Sequence, residues 1–109
     1  MKMVMAIIHD DDAYKIIDEL SEGGFRVTKL ATTGGFLRAG STTLICGVED
    51  GKVQDLIGII ERRGQARKQL TPSNVSQLSA GDSFSPYPVE VTVGGATIFV
   101  MNIEEFKKV

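Results

Sequence analysis

Two short runs, Met3–Ile8 (MVMAII) and Ala96–Met101 (ATIFVM), are apolar at almost every position, and a chain of 109 residues has few ways to hide them. Their shortness reads as strands rather than helices, with side chains alternating to the two faces of a sheet. Both faces then need cover from water. Two amphipathic segments supply it on one side: Ala13, Ile16, Ile17 and Leu20 recur at helical spacing, as do Val53, Leu56, Ile57 and Ile60. The cheapest shield for the other side is the same face of a second copy, so the sequence predicts an oligomer built sheet to sheet.

The rest of the chain supplies the remaining elements. Carboxylates at His9–Asp12 open the first helix and Gly23-Gly24 closes it. Phe25–Thr33 reads as a second strand, with Phe25 and Val27 on one face and Arg26 and Thr28 on the other. Ser41–Val48 reads as a third, paired with the second as an antiparallel hairpin around a glycine-bearing bend at 34–40. After the second helix, a polar, turn-rich stretch of about 64–88 holds all three prolines and reads as a long loop of functional length. Val89–Val93 and Thr97–Met101 are expected to form a second hairpin through Gly94-Gly95. Asn102 and Glu105 fit a capping pattern for a short terminal helix holding Ile103 and Phe106. The predicted fold is α+β and ferredoxin-like: one domain over 1–109, βαββαβ with an extra C-terminal strand hairpin and a short helix.

Composition narrows the function. A formal charge of −2 argues against a protein that coats nucleic acid polymers, which needs a strongly basic face. One cysteine, Cys46, forms no internal disulfide and fits a reducing compartment. The apolar start is short and runs into His9-Asp10-Asp11-Asp12 rather than a cleavage site, and no apolar run approaches the roughly 20 residues that span a bilayer. The expectation is a cytoplasmic protein without membrane partners. No base and nucleophile are paired and no Walker-type motif is present, so no catalytic residue is assigned. The acids beside His9 read as helix capping rather than metal ligands, and Cys46 reads as structural. Arg62, Arg63, Arg67 and Lys68 suit a helix C-terminus or a second phosphate contact.

The most specific stretch is Phe25–Val48, FRVTKLATTGGFLRAGSTTLICGV, where glycines, hydroxyls and cations surround the bend. Such a mixture suits a ligand bearing phosphates and bases. RVTKLATTGGFLRAGSTT, followed by GVEDGKV and later by PYPVEVTVGGATIFVM, resembles the cyclic-di-AMP receptor family of P-II-like signal-transduction proteins, almost end to end. The resemblance implies a homotrimer of ferredoxin-like subunits that binds cyclic di-AMP in clefts between neighbours, without catalysis, cofactor or metal. It implies ligand contacts from Arg26, Val27 and Thr28 on the second strand, Gly35, Phe36 and Leu37 at the bend, and Ser41 and Gly47 on the third strand. Where the family commonly carries asparagine, this chain has Ser41, a shorter group with no amide. A P-II-like sensor of ATP or AMP and a small nucleotide hydrolase are the alternatives; the downstream protein partner is not readable from the sequence.

Overall fold

The computed structural model describes residues 1–30, 40–71 and 89–109. Its elements run β1 (Lys2–His9), α1 (Asp10–Glu22), β2 (Thr28–Leu30), β3 (Ser41–Val48), a 3-10 turn (Asp50–Lys52), α2 (Val53–Gly64), β4 (Arg67–Thr71), β5 (Val89–Val93) and β6 (Ala96–Asn102). Four strands form one sheet in the order β2-β3-β1-β6, and β4 and β5 form a separate two-stranded ribbon. Every pairing is antiparallel. An antiparallel sheet with two helices is an α+β arrangement consistent with the ferredoxin-like plan.

Strand β1 sits in the middle because it is apolar on both faces. Val4, Ala6 and Ile8 are each 1% exposed and form the core with Leu44, Cys46 and Val48 of β3 and with Ile16, Leu20, Leu56 and Ile60 of the helices. The alternate residues, Met3, Met5 and Ile7, point away from the helices. Register sets Ile45 and Gly47 of β3, Thr28 and Leu30 of β2, and Phe99 and Met101 of β6 on that same far face. Phe99 is 48% exposed, Leu30 40% and Met101 37%. Among the described residues, the sheet therefore has one face packed under helices and a second, apolar face left open, as the two strand runs lead one to expect.

Local chemistry fixes the ends of α1. His9 stands at the N-cap, its Nδ1 accepting from the Asp11 N–H at 3.2 Å. Gly23, Gly24 and Phe25 return their N–H groups to Glu19, Ser21 and Leu20, with Gly24 at φ +86. Glu19 then ties α1 to α2, accepting from Arg63 Nε at 2.5 Å and Arg62 Nη2 at 3.3 Å. The Arg63 hydrogen bond holds the Glu19 carboxyl below its usual range.

Three expectations about the second half are corrected. First, β5 does not pair with β6: β5 pairs with β4, and β6 pairs with β1. Gly94 and Gly95, at φ +76 and +100, hand the chain from ribbon to sheet rather than reversing it, and the Gly95 N–H closes on the Gly64 carbonyl at 2.7 Å. The apolar ATIFVM gains most beside β1, while the more polar VEVTV suits a ribbon. Second, residues 67–71, read as loop, are strand β4; residues 72–88 lie outside the described residues. Third, no helix follows Asn102. Asn102 is still strand, facing Lys2, and its side-chain oxygen accepts from Lys2 Nζ, so it is not free to cap a helix.

Candidate functional site

A cleft of about 680 Å³ opens where the chain enters β2 and leaves β3. Phe25 and Val27 pack against the core, and the two-residue period turns Arg26 and Thr28 to the opposite side, where both are exposed and line the cleft. Gly47 lines it from β3, with nothing but the Met1 side chain near the space a Cβ would take, at 3.9 Å. A ligand can therefore approach the Gly47 main chain.

Other lining residues come from parts of the chain that the sequence reading did not connect with this site. Met1, Met3, Phe25, Ile45, Ile103 and Phe106 give apolar surface, and Lys52 and Lys108 join Arg26 as cations against the one carboxylate of Glu49. Apolar walls with a few placed charges are usual for a small-molecule site, and the volume lies within the range such sites occupy. Among the described lining residues the cationic side chains Arg26, Lys52 and Lys108 outweigh Glu49, which favours an anionic ligand; flat apolar groups would find Phe25 or Phe106. Spacing alone cannot bring positions 26, 52 and 108 together.

The remaining expected contacts divide. Val27 is half-buried toward the core and does not line the cleft. Ser41 shares a sheet face with Gly47 but lies six residues away along β3, about 20 Å at the rise of a strand. It faces His9 at the far end of β1. Gly35, Phe36 and Leu37 lie outside the described residues. Within one chain the cleft thus gathers Arg26, Thr28 and Gly47, with Ser41 at the other end of the same strand.

The basic cluster at the end of α2 is engaged in ion pairs within the chain. Arg62 and Arg63 meet Glu19, Arg67 meets Asp12 at 2.9 Å, and Lys68 meets Glu90 at 3.2 Å. The Asp12 hydrogen bond raises the Arg67 pKa further above its ordinary value. Cys46 is 2% exposed in the core, and burial pushes its thiol up to about 11. A nucleophilic cysteine needs the reverse shift. Among the described residues, no three His, Cys, Asp or Glu side chains group to hold a metal ion, and no helix is long and apolar enough to cross a membrane.

The chain is similar in structure to a functionally unknown protein from Pediococcus pentosaceus ATCC 25745, at 35% sequence identity and a TM-score of 0.76, over 99% of this chain and 96% of that one. The family described as cyclic-di-AMP receptor matches residues 1–109, the whole chain. With every residue inside that match, and with a cleft whose lining suits an anionic ligand, the chain belongs to the cyclic-di-AMP receptor family.

Proposed function

We propose that this protein is a non-enzymatic receptor that binds cyclic di-AMP and relays its occupancy to a protein partner. The observation that carries the reading is the cleft at the β2–β3 base, where Arg26, Thr28 and Gly47 meet Lys52, Lys108 and the Phe106 ring. Cyclic di-AMP carries two phosphates and two adenines, and that lining offers a guanidinium, two ammonium groups, a threonine hydroxyl, an accessible main chain and aromatic surface. The proposed contacts also include Gly35, Phe36 and Leu37 from the bend, Ser41 and, next to Arg26 and Thr28 in the chain though its side chain turns to the core, Val27.

The receptor works as a P-II-like homotrimer of single domains spanning 1–109. Supporting this is the apolar sheet face away from the helices, where Phe99, Leu30 and Met101 are exposed and no helix of the described residues packs. A further support is the separation of Ser41 from Gly47 by most of a strand. In a ring of subunits the Gly47 end of one chain lies beside the Ser41 end of the next, so a ligand between neighbours reaches both. Binding orders the bend and the loop beyond the ribbon, and differential affinity for the two loop states drives the switch. A single buried cysteine suits the reducing cytoplasm.

Calorimetric titration with cyclic di-AMP, AMP and ATP tests this reading. Cyclic di-AMP is expected to bind the wild-type chain, and Arg26→Ala to weaken it by roughly 10- to 100-fold, the range for a lost charge-assisted hydrogen bond. ATP or AMP binding in its place would make the protein a sensor of another adenine nucleotide. Nucleotide turnover in the presence of magnesium, read by chromatography, would make it a hydrolase.

A further inference from the structure

The first turn of α1 holds two separate parts of the chain at once. On one side, the Asp10 N–H donates to the Gly40 carbonyl at 2.7 Å, and the Asp10 carboxylate accepts from the Thr42 hydroxyl. Ser41 lies between those two anchored residues. On the other side, Asp12, only 4% exposed, receives the Arg67 guanidinium: Nη2 donates to Oδ1 at 2.9 Å and Nη1 to Oδ2 at 3.4 Å. Arg67 Nη1 also donates to the Gln65 carbonyl at 3.1 Å.

The ribbon is fastened at both of its inner ends by this one pair. Arg67 is the first residue of β4, and Gly94, which follows the last residue of β5, lies directly against the guanidinium. A Cβ at Gly94 would stand 2.5 Å from Arg67 Nη1, 2.9 Å from the Gln65 carbonyl oxygen and 3.1 Å from Asp12 Oδ2. Residues two apart on a helix point about 200° apart, so Asp10 and Asp12 reach opposite flanks of the same hydrogen-bonded turn. A carboxylate withdrawn from water does not easily give up its partner, because the charge left behind is buried and unpaired. A shift of Asp10 imposed by residues 40–42 would therefore carry the ribbon with Asp12 rather than part the two.

We infer that Asp12 and Arg67 are positioning residues that couple the Ser41 end of β3 to the β4–β5 ribbon, through the first turn of α1. The inference deepens the ligand reading above and rests on it. The pair does not touch the ligand. By linkage, whatever ligand binding does to the ribbon through this turn, the ribbon does in return to ligand affinity.

The test uses the full chain with saturating cyclic di-AMP, and compares Asp12→Asn, Arg67→Gln, the double variant, Arg67→Lys and Glu90→Gln. Glu90→Gln breaks the ribbon's own surface pair with Lys68 and serves as control. Hydrogen exchange of the β4 and β5 amides, with and without ligand, is read beside calorimetric affinity. In the wild type, ligand is expected to slow ribbon exchange about tenfold, within the usual span of coupling between two sites. In Asp12→Asn and Arg67→Gln that response falls below roughly threefold on the same scale, and the double variant loses no more than either single one. Arg67→Lys recovers part of it, Glu90→Gln keeps it, and affinity stays within about tenfold throughout. A purely structural pair would lower stability and leave the ligand response intact. Arg67 is half exposed, so Arg67→Gln carries the test if Asp12→Asn fails to fold. A ribbon that responds equally in every variant overturns the inference, as does a wild-type ribbon that ignores bound ligand. A wild-type chain that binds no cyclic di-AMP overturns the ligand reading itself, and the inference with it.

Discussion

Phe99→Glu is the sharpest probe of the open sheet face. Phe99 lies on β6 opposite Met5 of β1, on the side away from the helices, and 48% of it remains exposed in the single chain. Burying a phenylalanine removes about 200 Å² from water, so close to half of that, about 100 Å², is still available to an interface. At about 25 cal/mol per Å² this is worth about 2.5 kcal/mol for each subunit, close to a hundredfold in an association constant. Glutamate forfeits that gain and adds the cost of moving a carboxylate against Met3, Met101 and their counterparts on the neighbouring copies. Light scattering across a concentration series is expected to show a trimer for the wild type and dissociation of Phe99→Glu at concentrations where the wild type is intact. Because the side chain is half exposed in the single chain, circular dichroism of the variant is expected to keep its folded signature. The reasoning fails if Phe99→Glu assembles as tightly as the wild type, or if the wild type is monomeric at the highest concentrations reached.

Gly94→Ala is expected to destabilise the fold by about 2 kcal/mol or more in urea titration, since φ of +76 alone costs an L-residue about 1–2 kcal/mol and the new Cβ would meet the Gln65 carbonyl at 2.9 Å. Cys46 should resist thiol reagents at pH 8 in the native state and react at once in denaturant. Because burial raises its folded pKa from 9.0 to about 11, the unfolded chain ionises first. The stability it contributes is intact below about 9 and is lost as pH rises toward 11, which pH-dependent denaturation will read. Lys108→Glu reverses one of the three cations in the cleft and should weaken cyclic di-AMP binding while steepening none of its salt dependence; unchanged affinity would remove the C-terminal segment from the site.

Period and composition encode local elements, and distance decides how they meet. The two helices were legible because their apolar residues recur at helical spacing, and β1 and β6 because a short run that is apolar throughout suits a buried strand better than a helix. The open face was legible for the same reason: MVMAII cannot hide both sides under two helices. Of the contacts that the resemblance implies, Arg26, Thr28 and Gly47 share one cleft, while Ser41 stands at the other end of β3. Lys52, Phe106 and Lys108 also line that cleft, and nothing in their spacing along the chain signals that proximity.

Strand partnership was where sequence reasoning went astray. Gly94-Gly95 between two strand-like runs is a strong hairpin signal, but a hairpin needs its strands to prefer one another. Here β6 is better served by β1, whose apolar residues bury against it, and β5 by β4, whose arginine is held by the buried Asp12. Likewise Asn102 carries the right side chain for a helix cap, and its pairing with Lys2 denies it that role. Local pattern determined the two helices and most strands of the main sheet, and that the central strand is apolar on both faces. Tertiary structure decided which strands meet and which distant cations share a cleft, because those choices depend on burial and charge pairing between residues far apart in the chain.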